Sequence, residues 1–295
     1  MSSNASASLL VVYNPIAGRR RKRFLSRVIE EMEARASRVR LEPTKARGDA
    51  EALARAAASE GVARLVVAGG DGTINEALNG LAGTAVPLAL VPLGTANVLA
   101  AELGLGRSAR AVAAAALDGP LRRVALGSVN GRRFSMMAGV GFDAHVVAGV
   151  STRLKRVLGK GAYAIETLRR LATLPPRLYD VRVDGVAHRA ASVLVCNGRH
   201  YAGRFVAAPD ARLDRPDFEV VLFLDPGPQA TLSYMAALAA GTLHRHPRAK
   251  IVRATRVEID GPAGEPVQGD GDILAHLPAR FDAVPDGAML VGPAA

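Results

Sequence analysis

Cysteine is all but absent. Cys196 stands alone among 295 residues, so no intrachain disulfide can form and the chain suits a reducing compartment. Tryptophan is missing and aromatic residues make up only 4%. That scarcity leaves the core to Ala, Val and Leu, and it argues against the aromatic-studded basic sheets that stack on nucleic-acid bases. With no helix-turn-helix pattern and no zinc spacing either, nucleic acid is not an expected partner. No apolar run approaches the roughly 20 residues that span a bilayer, so no transmembrane segment is expected. Residues 1–8 are small and polar, and Leu9–Tyr13 is too short for the core of a signal peptide. The expected location is cytoplasmic. The six histidines show no HExxH or other metal spacing, and no G-x-S-x-G nucleophile elbow is present. Without a supporting motif, Cys196 reads as a core thiol.

What remains is apolar, basic and long. Hydrophobic residues make up 49% and charged residues 22%, which permits a sizeable core and excludes global disorder. A chain of 295 residues exceeds the usual size of one domain, so two are expected. The formal charge of +11 favours a polyanionic partner, either nucleotide phosphates or an anionic membrane surface.

Strands and helices alternate over residues 1–122. Leu9–Tyr13, Leu65–Ala68 and Pro87–Val91 read as buried parallel strands. Lys22–Arg35, Ala50–Ala58, Thr73–Leu81, Asn97–Leu103 and Arg110–Leu117 read as helices. Alternation at this pace predicts a three-layer α/β domain with a parallel sheet covered on both faces. Ligands bind such sheets at the carboxyl ends of the strands, which is where Asn14, Gly69 and Gly94 fall. The pattern changes near Gly119-Pro120. Strand-like runs follow at Arg122–Val129, Phe134–Ala138, Leu178–Val183, Ala191–Cys196, Phe218–Leu224 and Lys250–Ile259. Helices are fewer, chiefly Tyr163–Leu174 and Gln229–Leu238. A mostly antiparallel second domain is predicted over residues 123–295.

The strand-end loops carry the chemistry. In Gly69-Gly70-Asp71-Gly72-Thr73-Ile74-Asn75-Glu76, glycines end a strand where a helix begins. Such a turn lets backbone N–H groups and a helix dipole approach a phosphate. A bare carboxylate repels phosphate, so Asp71 is expected to order Mg²⁺ or orient its neighbours. The G-x-x-x-x-G-K-[ST] spacing is absent, so this is not a Walker-type site. Pro92-Leu93-Gly94-Thr95-Ala96-Asn97 repeats the arrangement one strand further on. Asn14-Pro15-Ile16-Ala17-Gly18 is a third such loop, followed by Arg19-Arg20-Arg21-Lys22-Arg23. Cations at a helix N-terminus oppose the dipole. A phosphate or anionic-lipid role therefore stands beside the plainer reading of a solvated face. Gly139–Ala144 also fits a G-x-G-x-x-A fingerprint, but no second Rossmann strand follows it, and a dinucleotide site is not expected.

With Gly139-Val140-Gly141-Phe142-Asp143-Ala144 and Asp270-Gly271-Asp272, these loops resemble the bacterial diacylglycerol kinase and lipid kinase family, related to sphingosine and ceramide kinases. The motifs run in family order over nearly the whole chain. The resemblance implies a phosphofructokinase/NAD-kinase-like ATP-binding domain at 1–122 and a β-sandwich-like lipid-substrate domain at 123–295, with final strands near 287–292 packing back on the first. It implies transfer of the ATP γ-phosphate to the hydroxyl of diacylglycerol or a related lipid alcohol, with Mg²⁺. The implied ATP-site residues are Asn14, Thr44, Gly69, Gly70, Asp71, Gly72, Thr73, Asn75, Glu76, Gly94, Thr95 and Asn97, and the implied catalytic residues are Asp71 and Asp272. Contact with an anionic membrane at its inner face would be peripheral, aided by Arg153-Leu154-Lys155-Arg156. No metal ligands are assigned, and the sequence carries no signal for an oligomeric state.

The chain departs from the family pattern in places. Asp272 stands where the family has the Glu of Asp-Gly-Glu, which brings the carboxylate about 1.5 Å closer to the backbone. Asp270-Gly271 also suits a hairpin turn. Val98 replaces a frequent Asp, and Asp49 a common His. In Leu213-Asp214-Arg215-Pro216-Asp217, Arg215 takes the place of a metal-binding acid, so no metal is expected there. Two rival readings remain: a kinase of a soluble acceptor such as NAD, and a non-catalytic lipid-binding protein on the same fold.

Overall fold

The computed structural model describes residues 8–17, 21–35, 38–150 and 160–294; Gly18, Arg19, Arg20 and the Arg153–Arg156 cluster lie outside them. The chain divides into two compact units, residues 1–124 with 286–295 and residues 125–285.

Unit 1 is built on parallel strands β1 (Ser8–Tyr13), β2 (Arg38–Pro43), β3 (Arg64–Gly69) and β4 (Leu88–Pro92), in the order β2-β1-β3-β4. Side chains alternate across a strand. Leu9, Val11, Val66, Ala68, Ala89 and Val91 therefore share one face, packed with Val28 and Met32 of α1 (Lys22–Glu33) and Val112, Ala113 and Ala116 of α5 (Ala109–Asp118). The intervening Leu10, Val12, Leu65, Val67, Leu88 and Leu90 are equally buried. There α2 (Asp49–Ser59) packs on α3 (Asp71–Gly80) and both touch the sheet. Three layers result, as the alternation predicts.

Strand β2 was not foreseen. Its sequence, RVRLEP, is charged at alternate positions rather than apolar, because it pairs only with β1 at the sheet's edge. The final strand, β18 (Ala279–Val291), is divided between the units. Its last part belongs to unit 1, where Leu290 pairs in parallel with Leu88.

Unit 2 is antiparallel. One sheet runs β14-β13-β10-β7-β16-β17, made of β14 (Ala249–Ala254), β13 (Phe218–Phe223), β10 (Ser192–Cys196), β7 (Met137–Val140), β16 (Pro266–Gly269) and β17 (Asp272–His276). Opposite lie β15 (Arg256–Asp260), β8 (Tyr179–Val183), β9 (Val186–Ala190) and the first part of β18. Val195 and Phe218 from the first sheet share a core with Val181, Val257 and Phe281 from the second. Phe134 stacks on Phe218 at 6.0 Å and meets Phe281 edge-on at 6.4 Å. This is a sandwich.

Two runs read as single strands are broken, each by an aspartate from elsewhere. Phe134–Ala138 splits into β6 (Arg132–Phe134) and β7, because the Ser135 and Met136 N–H groups donate to Asp270 instead of to a neighbouring strand. Lys250–Ile259 splits into β14 and β15 at Thr255, whose N–H and hydroxyl donate to Asp184. That break moves the chain from one sheet to the other.

Candidate active site

Parallel pairing brings the ends of β2, β1, β3 and β4, hence Thr44, Asn14, Gly69 and Gly94, to one edge of the unit 1 sheet. The Thr44 N–H donates to the Tyr13 carbonyl at 2.9 Å, the Asn14 N–H to Ala68 at 2.9 Å, and the Leu93 N–H to Gly69 at 2.9 Å. The loops are thus extensions of the ladder. They also interlock. Asn14 folds its own loop by accepting from the Ile16 and Ala17 N–H groups, and its Nδ2 donates to Thr73 Oγ1 at 3.1 Å. Gly70 and Gly94 approach backbone to backbone, and a Cβ on Gly94 would sit 2.6 Å from the Gly70 Cα. Only glycine fits there. Asn97 takes a left-handed backbone (φ 50°) and donates to the Gly94 carbonyl at 2.9 Å.

Asp71 is the clasp of this arrangement. One carboxylate oxygen accepts from the Asn97 N–H at 2.9 Å and the other from the Val98 N–H at 2.7 Å, at the start of α4 (Val98–Glu102). Its charge thereby satisfies first-turn donors and ties the Gly69–Thr73 loop to the Gly94–Asn97 loop. We expect Asp71→Ala to leave both donors unpaired, costing about 1–3 kcal/mol in urea unfolding. Asp71→Asn, which keeps one acceptor, should recover part of the loss. Unchanged stability in the alanine variant would remove the clasp role.

The other predicted residues of this unit are placed less uniformly. Gly72 and Thr73 lie in the first turn of α3, whose N–H groups have no partners within the helix. Asn75 is buried and accepts from Asn79 Nδ2 at 3.1 Å, while Glu76 accepts from the Ala50 N–H at 3.3 Å. Both side chains thus serve packing around α3. Asp49 accepts from the Lys45 and Ala46 N–H groups, which holds its carboxyl below the usual range and closes the loop after Thr44. Thr95 and Asn97 border a groove that also carries Arg21, Lys22, Arg23, Arg27 and Arg107. The Arg21 guanidinium donates to the Pro92 carbonyl at 2.9 Å, anchoring one wall.

In unit 2, Asp270 and Gly271 both have positive φ (50° and 86°), and Gly269 pairs with Asp272, so the segment is a two-residue hairpin turn. The Asp270 carboxylate accepts from the Ser135 N–H at 2.6 Å, the Ser135 hydroxyl at 2.8 Å, and the Met136 and Met137 N–H groups at 2.9 and 3.1 Å. Asp270 is therefore committed to shaping the backbone. Asp272 is the first residue of β17 and is half-buried. Gly139 and Gly141 let β10 approach β7: a Cβ on Gly141 would meet the Ser192 Oγ at 2.5 Å. This packing role accounts for the G-x-G pattern without a dinucleotide. In the 213–217 loop, Arg212 pairs with Asp214 at 3.0 Å and Arg215 with Asp217 at 2.6 Å.

The sequence did not reveal two further features of unit 2. Glu265, only 6% exposed, accepts from the Tyr179 hydroxyl at 3.0 Å, pairs with His145 Nε2 at 2.5 Å, and pairs with Arg177. Those partners lie far off in sequence, so no local signal marked them. Arg177 and Tyr179 also line an apolar pocket whose walls include Leu171, Leu174, Leu194, Phe223, Met235 and Leu238. Asp143 and Tyr201 supply a polar end: the Tyr201 hydroxyl donates to Asp143, whose burial pushes its carboxyl up. Cys196 is fully buried, and burial pushes its thiol far above the reactive range, as suits a core thiol.

One unit is thus α/β with glycine-lined loops at its strand ends, and the other is a β-sandwich. Residues 8–129 match the diacylglycerol kinase catalytic domain, and residues 136–292 match the YegS C-terminal NAD kinase beta sandwich-like domain. The chain belongs to the bacterial diacylglycerol kinase family of lipid kinases. It is 30% identical over 277 residues to a protein named diacylglycerol kinase from Staphylococcus carnosus, covering 92% of this chain and 90% of that one. It is 35% identical over 249 residues to a Pseudomonas fluorescens protein named "Probable lipid kinase YegS-like", covering 83% and 82%. The crystal structure of a diacylglycerol kinase from Bacillus anthracis str. Sterne has the same fold, with a TM-score of 0.79, 23% identity and 98% coverage of both chains. Among the described residues, no helix is long and apolar enough to cross a membrane.

Proposed function

We propose that this lipid kinase transfers the γ-phosphate of ATP to the hydroxyl of diacylglycerol or a closely related lipid alcohol. The observation that carries the reading is the pairing of interlocked glycine loops in unit 1 with an apolar pocket in unit 2. The loops fit a polyphosphate: Gly94 leaves no room for a Cβ, and the first turn of α3 offers N–H donors to an anion. The basic groove beside Thr95 adds favourable charge for phosphates. Bound ATP with Mg²⁺ would supply the transferable phosphoryl group and neutralise its charge. Among the described residues no group of three or more His, Cys, Asp or Glu side chains could hold a metal. Mg²⁺ would come bound to the nucleotide's phosphates.

The chain's own residues divide the work. Asn14, Gly69–Thr73, Gly94, Thr95 and Asn97 orient the phosphates, and Asp71 keeps the two central loops in register. Thr44 extends the nucleotide contacts at the end of β2. The apolar pocket takes an acyl chain, and Asp272 takes the proton from the acceptor hydroxyl. It stands at the start of a strand, directly after a turn fixed by Asp270. Net charge of +11 and the groove's arginines favour peripheral attachment to an anionic membrane in the cytoplasm.

The test is a labelled-ATP assay on the purified chain with a total lipid extract in one arm and NAD in the other. We expect label in a lipid product and none in NADP. Label in the soluble product alone would establish the NAD-kinase reading. Tight lipid binding with no label in either arm would establish the non-catalytic one.

A further inference from the structure

We infer that two exposed apolar ridges in unit 2 form a rim that inserts into an anionic bilayer around the mouth of the apolar pocket, a reading that rests on the lipid-acceptor assignment above. The ridges belong to α7 (Lys160–Thr173) and α8 (Pro228–Ala239), which pack against each other. On α7, Leu171 lines the pocket, and Leu168 and Ile165 follow at steps of three residues. On α8, Leu238 and Met235 line the pocket and Leu232 follows at the same step. Residues three apart share a helix face, so each ridge runs continuously from the pocket lining out to the surface. Leu168 is 68% exposed, Leu232 52%, Ile165 50% and Met235 40%. Folding alone does not account for large apolar side chains gathered in this way, and a patch of this kind marks an interaction surface.

Three observations select a bilayer as the occupant. The ridges flank an open apolar pocket, so the same helices that would touch acyl chains also guide one inward. Two acids near the rim are matched by arginines: the buried Glu166 pairs with Arg170 at 2.6 Å and Arg169 at 3.4 Å, and Asp225 pairs with Arg248 at 3.3 Å. Among the described residues these two acids are charge-matched, and the Arg169 side chain is 64% exposed on an aliphatic stem that can lie along acyl chains with its charge at headgroup level. No helix among the described residues can cross a membrane, which leaves a contact lying in the interface plane.

The experiment is flotation of the full chain with vesicles of phosphatidylcholine containing phosphatidylglycerol, comparing wild type with a Leu168→Glu/Leu232→Glu double variant. Both positions are exposed, and circular dichroism verifies that the variant is folded. Vesicle partitioning should fall on the order of tenfold or more, and part of the wild-type binding should survive high salt, because the apolar share is not screened. Phosphorylation of a short-chain, water-soluble diacylglycerol should be unchanged, whereas that of long-chain diacylglycerol in vesicles should drop. Equal partitioning of the two proteins would overturn the rim. So would a wild-type dimer, seen by analytical ultracentrifugation, that the double variant abolishes while vesicle binding persists, since the ridges would then be a protein interface. A wild type that binds vesicles through these leucines yet phosphorylates no lipid would sink the functional reading and leave the rim standing.

Discussion

Asp272→Asn is expected to lower kcat on a lipid acceptor by about 10²–10⁴-fold, the usual contribution of a positioned general base. The substitution keeps size and shape but removes the ability to accept a proton. Asp272 begins β17 immediately after a turn that Asp270 locks through its bonds to Ser135, Met136 and Met137. Because Asp270 does that structural work, the Asp272 variant should fold normally and keep its ATP affinity. Asp270→Asn is the informative contrast. It weakens the acceptor of all those donors, so it should lower both stability and activity. A kcat within a few-fold of wild type for Asp272→Asn would take the base role away from this residue.

The second large effect concerns stability. Glu265→Ala should cost about 3 kcal/mol in urea or thermal unfolding, at the low end for breaking a buried ion pair because Arg177 is partly exposed. The change leaves the Tyr179 hydroxyl and the His145 ring without their buried acceptor. Arg177 and Tyr179 line the pocket, so the same variant should raise KM for the lipid more than it changes KM for ATP. Stability within about 0.5 kcal/mol of wild type, the range of an ordinary surface substitution, would show that the cluster does not hold this wall.

Those two residues also mark how far the sequence could be read. The unit 1 loops were legible because their signals are local: a buried strand, glycines where backbones must touch, and a helix start. Even so, the role of Asp71 was only half visible. It read as ordering Mg²⁺ or orienting its neighbours, and the structure supplies the neighbours, engaging both oxygens with the Asn97 and Val98 N–H groups. In unit 2, Asp270 acts on Ser135 and Glu265 on His145, so the residues that decide their roles lie more than a hundred positions away. The edge strand β2 was hidden by its charges. The breaks at Ser135–Met136 and Thr255 were hidden for the opposite reason, since the local sequence there favours an unbroken strand and only a distant carboxylate ends it.

The measurement that bears most directly on the central claim is transfer of label from γ-labelled ATP to purified diacylglycerol in vesicles by the full chain. Wild type should give labelled phosphatidate, EDTA should abolish the product, and Asp272→Asn should lower its rate by at least about a hundredfold. No labelled lipid from the folded, ATP-binding wild type would contradict the account, and so would an undiminished rate in the variant.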